Sequence, residues 1–510
     1  MSKKGEDVRR LSRAVAGLVV ALSASPASPQ DWVAEGERAV ERAQRRTQLD
    51  RPAQNVVLMI GDGMSVTTVT AARILEGQLR GEDGEENELA FESLPFVALA
   101  KTYNTDQQVP DSAGTMTALV SGVKTRAGVI GLDQRAERGV FDTAGDHAVK
   151  TLLEQAEERG MATGVVTTSS VTHATPAACY AHVPERHWEN DARLPLAARE
   201  ADFPDIARQL LELPYGDGPE VVLGGGREHF LPHGSADPEH PAVRGSRLDG
   251  RDLTREWTEA RPGAHYVWNE QQLLELDPER VAAVLGLFEP DHMHFETDRA
   301  GDRAGEPSLS VMTARALDIL ERDPDGFFLM VEAARIDHGH HLGSAYRALT
   351  ETIEFSNAVR VVLERTREEE TLVLVTADHG HVFTIAGYPT RGNAILGKVV
   401  ANDRTGVPAD DYARDAHGLP YTTLGYHNGP GFAAERPDLR ETDTADPSYR
   451  QEAAVPLVSE THSGEDVAVY AGGPGAHLVH GVQEQSYFYY AIVEALGWRR
   501  EPSFFERLFK

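Results

Sequence analysis

Six apolar runs recur along the chain with helical sequence between them, and that alternation narrows the fold more than any other feature. The runs are NVVLMI (55–60), TGVVTT (163–168), EVVLGG (220–225), FFLMV (327–331), TLVLVT (371–376) and DVAVYA (466–471). Short continuous apolar runs suit strands buried on both faces. Between them, SVTTVTAARILEG, the stretch after Asp111, AVKTLLEQAEERG, LSVMTARALDILERD and YRALTETIEFSNAVRVVLERT space apolar residues at helical intervals. The alternation predicts an α/β fold: a large, mostly parallel central sheet with helices on both faces. Two stretches break the rhythm. Residues 189–306 are charged and loop-rich, and residues 387–455 are rich in glycine, proline and aspartate. The 510-residue chain therefore reads as one domain over 28–510 carrying these two insertions.

The formal charge is −30, which argues against a nucleic-acid backbone or an anionic membrane as partner. An anionic substrate then has to be drawn by local cations such as bound metals. The N-terminus reads as an export signal over 1–27: Lys3, Lys4, Arg9, Arg10 and Arg13 precede AVAGLVVALSA, and SPASPQ comes next. That apolar run is too short to span a bilayer. Cleavage near Ala27 and a periplasmic or extracellular destination are expected. No later run is apolar enough to span, and the C-terminal FFERLFK is charged. The one cysteine, Cys179, leaves no internal disulfide and reads as a small buried residue.

The chemistry sits directly after the strands. NVVLMI runs into Gly61-Asp62-Gly63, FFLMV into Glu332 and then Asp337 and His341, and TLVLVT into Ala377-Asp378-His379. Sites in open α/β sheets form beyond the carboxyl ends of the strands. Three acidic strand ends would converge there and repel, a conflict that bound metal resolves; Asp/His mixtures suit zinc. Asp337 and His341 can reach one ion if their stretch is helical. Gly61-Asp62-Gly63 lacks the third glycine of a dinucleotide loop, and no P-loop is present. Asp111-Ser112-Ala113-Gly114 opens a small-residue helix, where Ser112 is either an ordinary N-cap or a nucleophile at the positive helix end.

These motifs together resemble the alkaline phosphatase family, in its animal-like rather than its enteric bacterial form. The likeness runs from QNVVLMIGDGMSVTTVTAARILEG through KTYNTDQQVPDSAGTMTALVSGVKT, VTHATPAACYAHVPER, VEAARIDHGHH and TADHGHVFTIAGYPTRGN to THSGEDVAVYAGGPGAHLVHGVQEQ. It implies hydrolysis of small-molecule phosphate monoesters through a phosphoserine on Ser112, with Arg186 clamping the phosphate. It implies one zinc at Asp337, His341 and His462, and a second at Asp62, Asp378 and His379 with the Ser112 oxygen. Magnesium falls to Asp62, Thr175 and Glu332. His173 and His338 stand where the enteric enzymes carry Asp and Lys, and with Asp111 they are expected to support the ligands from behind.

The resemblance further implies a homodimer, with 387–455 as a crown-like insertion at its interface. A calcium ion is expected within 189–306, at Glu239, the Phe288 carbonyl, Glu289 and Glu306, the last replacing the family's Asp. The animal disulfide cysteines are missing. Three other readings compete. A sulfatase needs a C/S-x-P-x-R setting that neither Cys179 nor Ser112 has. A phosphodiesterase needs an open pocket, and a non-catalytic metal or phosphate binder would be expected to lack Ser112 or a zinc ligand.

Overall fold

The computed structural model describes residues 32–44 and 48–498. The export signal expected at 1–27 and the charged C-terminus lie outside the described residues. The described residues 32–44 belong to one unit and 48–498 to another. The first contributes one described helix, Trp32–Gln44. The second carries every strand.

In chain order the strands are β1 (Asn55–Gly61), β2 (Phe96–Lys101), β3 (Ala162–Ser170), β4 (Val221–Gly225), β5 (Ala264–Val267), β6 (Ala283–Leu287), β7 (Phe327–Ala333) and β8 (Thr371–Ala377). They continue with β9 (Gly380–His381), β10 (Phe383–Ile385), β11 (Leu424–Gly429), β12 (Ala453–Pro456), β13 (His462–Ser463), β14 (Val467–Gly472) and β15 (Gly481–Glu484). Ten of them make one sheet in the order β15-β2-β14-β8-β1-β7-β3-β4-β6-β5. All six apolar runs are strands of this sheet. Its pairings are parallel except those of β14, which runs antiparallel to both β8 and β2.

Every residue of β3, β7 and β8 is buried, as is β1 after its first residue. Such strands need cover on both faces. The Leu309–Leu320, Ala345–Arg365 and Val66–Leu79 helices pack as one group, and the Ser112–Ser121 and Tyr487–Ala495 helices pack in another. Cys179 is free and buried, as its apolar neighbours suggest.

The stretch 189–306 differs from its loop-rich expectation. Besides β4 it supplies β5 and β6, which carry the sheet on to its far edge. AHYV and AVLGL are too short to stand out among charged neighbours, and pairing makes them strands: AVLGL on β4 and AHYV on AVLGL. From 387–455, β11 and most of β12 join β10, which precedes that stretch, in a separate three-stranded sheet, β10-β11-β12. No helix among the described residues is long and apolar enough to cross a membrane.

Candidate functional site

Sheet register levels the acidic strand ends. Gly61, the last residue of β1, pairs with Ala333 on β7 and Ala377 on β8. Asp62 and Asp378 thus leave adjacent strands at one height, and Glu332 sits two residues below, level with Ile60. Gly63 turns the chain away with φ 70°; a Cβ there would lie 2.4 Å from the His381 ring. Only glycine combines that backbone with that approach.

Asp62, Asp378 and His379 offer ligand atoms within 4.8 Å of one another, all buried. His379 Nε2 lies 3.5 Å from Asp62 Oδ1, 3.3 Å from Asp378 Oδ2 and 3.2 Å from Ser112 Oγ. Ser112 is the first residue of its helix. The N-cap is Asp111, whose Oδ1 accepts the Gly114 N–H at 3.2 Å. Asp111 therefore closes the helix end, and Ser112 Oγ turns to His379.

A second cluster surrounds Asp337. The Arg335–His341 stretch is helical, so the i, i+4 pair does share a face. Asp337 Oδ1 meets His341 Nε2 at 3.4 Å, His462 Nε2 at 3.3 Å and His381 Nε2 at 2.7 Å. The opposite ring nitrogens are anchored: His341 Nδ1 on the Glu460 carbonyl at 2.6 Å and His462 Nδ1 on the Pro110 carbonyl at 2.8 Å. Backbone anchoring of this kind leaves Nε2 free to bind a metal. His381 and Glu460 are additions to the residues named from sequence. His381 Nδ1 sits 2.5 Å from Glu460 Oε2, and the pairing of His381 with His462 across β9 and β13 brings it in. The only sequence signal was its place two residues after His379.

A third set joins Asp62 and Glu332 to His173. Glu332 Oε1, Thr175 Oγ1 and Asp62 Oδ1 are buried without a hydrogen-bond partner, a condition costing roughly 1–3 kcal/mol per group. Oxygens left bare in this way fit a divalent cation. The electrostatics agree. Burial, then Asp378, Asp337 and Glu332, push the Asp62 carboxyl well above its usual range, and burial lifts Glu332 to about 7. Burial also works against the Asp337 carboxylate, yet the imidazoles of His341, His381 and His462 hold it well below the usual range.

Arg186 stands at the mouth. Its Nη1 donates to Asp111 Oδ2 at 3.0 Å, and its Nη2 lies 3.0 Å from His173 Nε2. Asp111 also accepts from Gly128 N at 2.8 Å and Asn104 Nδ2 at 2.9 Å. Burial raises its pKa, but Arg186 and the Gly114 and Gly128 amides outweigh this and keep it ionised. One carboxylate thus ties the serine helix to the arginine fork. His338 accepts from Arg335 Nη1 at 2.8 Å and sits with its ring 5.9 Å from that of His173. Burial holds both imidazoles neutral.

Away from this centre, Glu289 shares one set of close ligand atoms with Glu239 and another with Glu306. Two histidines not named from sequence join them, in the sets Glu239-His240-Glu289 and Glu289-His294-Glu306.

Comparison with known proteins agrees with the geometry. The family model described as alkaline phosphatase matches residues 53–498. The chain is 46% identical over 478 residues to the tissue-nonspecific alkaline phosphatase isozyme of Gallus gallus, covering 92% of this chain and 89% of that one. It is 44% identical over 469 residues to the corresponding Homo sapiens isozyme, covering 90% and 87%. Among solved structures, the Thermus thermophilus alkaline phosphatase aligns with a TM-score of 0.62 at 24% identity, over 90% of this chain and 94% of that one. A cold-active alkaline phosphatase from Shewanella aligns with a TM-score of 0.58 at 23% identity, over 87% and 99%. Those two likenesses speak for the fold, and the family model and the animal relatives for the lineage. The chain belongs to the alkaline phosphatase family.

Proposed function

We propose that this chain hydrolyses phosphate monoesters through a phosphoserine on Ser112, using two zinc ions and one magnesium ion. The carrying observation is Ser112 Oγ, at a helix start and 3.2 Å from Nε2 of His379, which belongs to the buried set Asp62, Asp378 and His379. Asp337, His341 and His462 would hold one zinc, and Asp62, Asp378 and His379 the other, with Ser112 Oγ beside it. Magnesium would fall to Asp62, Thr175 and Glu332. When bound, such ions neutralise the crowded carboxylates and stabilise charge on phosphate oxygens.

The protein's own groups do the rest. The helix start favours the Ser112 alkoxide. The Arg186 fork suits two equatorial oxygens of the transferring group, and Asp111 and His173 aim it. Ser112 Oγ bonds to phosphorus as the ester oxygen leaves with its alcohol. Water then attacks phosphorus, the Ser112 Oγ–P bond breaks, and phosphate and free serine result. The alcohol makes none of these contacts, so substrate range is set by the phosphate. Homodimerisation through 387–455 and export by the 1–27 segment belong to the same reading.

The test is kinetic. p-Nitrophenyl phosphate should be turned over well above its diester and sulfate analogues, with an optimum above neutral pH. Activity should vanish on chelation with EDTA and return with zinc plus magnesium. Preference for the diester or the sulfate, or full activity in metal-free protein, would overturn the proposal.

A further inference from the structure

Two neighbouring contacts join the same pair of chain segments beside the site. One links Arg186 Nη2 to His173 Nε2 at 3.0 Å. The other involves Glu189, three residues after Arg186, and Thr172, the residue before His173: Thr172 Oγ1 donates to Glu189 Oε2 at 2.8 Å. We propose that Glu189 is a positioning residue for the phosphate grip, fastening the Arg186 segment to the His173 segment so that the guanidinium fork keeps its aim. The proposal rests on the hydrolytic reading and extends it to a residue outside the candidate metal and phosphate contacts.

Residues 184–190 form no helix or strand, so tertiary contacts must fix the direction in which Arg186 leaves the backbone. The Arg186 N–H donates to the Gly128 carbonyl at 2.8 Å, and the Glu189 carbonyl accepts the Ala207 N–H at 3.2 Å. Neither bond reaches the end of β3, where His173 is carried; side chains make that link. There the Ser170 N–H donates to His292 Nδ1 at 3.0 Å. With its one hydroxyl proton on Glu189, Thr172 Oγ1 accepts from Ser170 Oγ at 2.7 Å. Thr172 is thus fixed from the strand side and can anchor Glu189.

Glu189 is also held by His229, a ring only 2% exposed whose Nε2 lies 3.2 Å from Glu189 Oε2. Asn190 spends its oxygen on the Ala192 N–H at 3.0 Å, so its amide N–H is what meets His229 Nδ1 at 2.7 Å. That nitrogen accepts, which leaves a proton on Nε2 aimed at Glu189. Burial works against the Glu189 carboxylate, yet His229, then His173 and Thr172, hold it below the usual range. Among the described residues no lysine or arginine forms an ion pair with Glu189. Asp111 already occupies one end of the Arg186 fork, and a second carboxylate on the guanidinium would compete with phosphate. Glu189 steadies the arginine from one contact away and leaves its charge available.

The test is binding of inorganic phosphate to protein loaded with zinc and magnesium, measured by equilibrium dialysis in a Ser112→Ala parent. Adding Glu189→Ala should weaken binding by about tenfold, and Thr172→Val, which removes the donor at the other end, should do likewise. Glu189→Gln keeps an oxygen for Thr172 and should restore most of the affinity. In a Ser112→Ala/Arg186→Ala parent, Glu189→Ala should cost nothing further, because the fork it positions is gone; a general structural weakening would add in both parents. Equal affinity with and without Glu189→Ala, the same fold loss in both parents, or a loss that tracks missing zinc or magnesium would overturn the proposal. A Ser112→Ala parent that binds no phosphate at all would instead refute the hydrolytic reading, and this proposal with it.

Discussion

At the start of the Ser112 helix, capping falls to Asp111, and Ser112 Oγ is left beside His379. Either Asp111 or Ser112 could cap the helix on sequence grounds, and the structure gives that work to Asp111. Ser112→Ala should therefore leave the helix intact, lower kcat by about a thousandfold or more, and still bind phosphate through Arg186. Wild type quenched in acid during turnover should carry phosphate on Ser112 by peptide mapping; label on another residue would refute the assignment. The ligand pair Asp337 and His341 was legible because helical spacing is local, and Asp378-His379 because the residues are adjacent. His381 and Glu460 were not. His381 meets Asp337, and Glu460 meets His381, where β9 pairs with β13; that pairing joins residues 81 positions apart in the chain, a contact no local pattern encodes.

The Ala345–Arg365 helix shows the same limit at the scale of an element. Its apolar spacing predicts a helix and its orientation, yet it carries Glu351 into the interior at 3% exposure, where one oxygen accepts the Glu296 N–H at 2.5 Å. Burial lifts this carboxyl from an ordinary 4.5 to about 8. The folded state thus favours the neutral acid while the unfolded chain ionises lower, so the group's effect on stability worsens as pH rises between those values. Glu351→Gln keeps the acceptor and removes the titration. Its melting temperature should exceed that of wild type by ~3 °C or more at about pH 9 and match it near pH 5. Thermal melts at both pH values check this, and an identical difference at the two would contradict it.

On the scale of the whole molecule, several large apolar side chains on the small sheet and its flanks are exposed. Tyr388 is 95% exposed with φ 55°, Val458 is 100% exposed, and Val455 and Leu457 are each about two-fifths exposed. Side chains of this size left in water favour a partner surface. Sedimentation should give about twice the 55.7 kDa chain mass, and a monomer mass at working concentration would count against the dimer.

Local pattern was enough for the fold class, the central strands, and the placing of Asp62, Glu332 and Asp378 at strand ends, because periodicity and composition act over a few residues. The reading of Ser112 as nucleophile came from resemblance, not from spacing. Strand order and packing settled which imidazoles face which carboxylates, that β5 and β6 extend the sheet from within a charged stretch, and that His240 and His294 enter the Glu289 cluster. Those outcomes rest on register, which brings together residues far apart in the chain once the whole core is packed. A ligand set built across such distances is a property of the closed sheet.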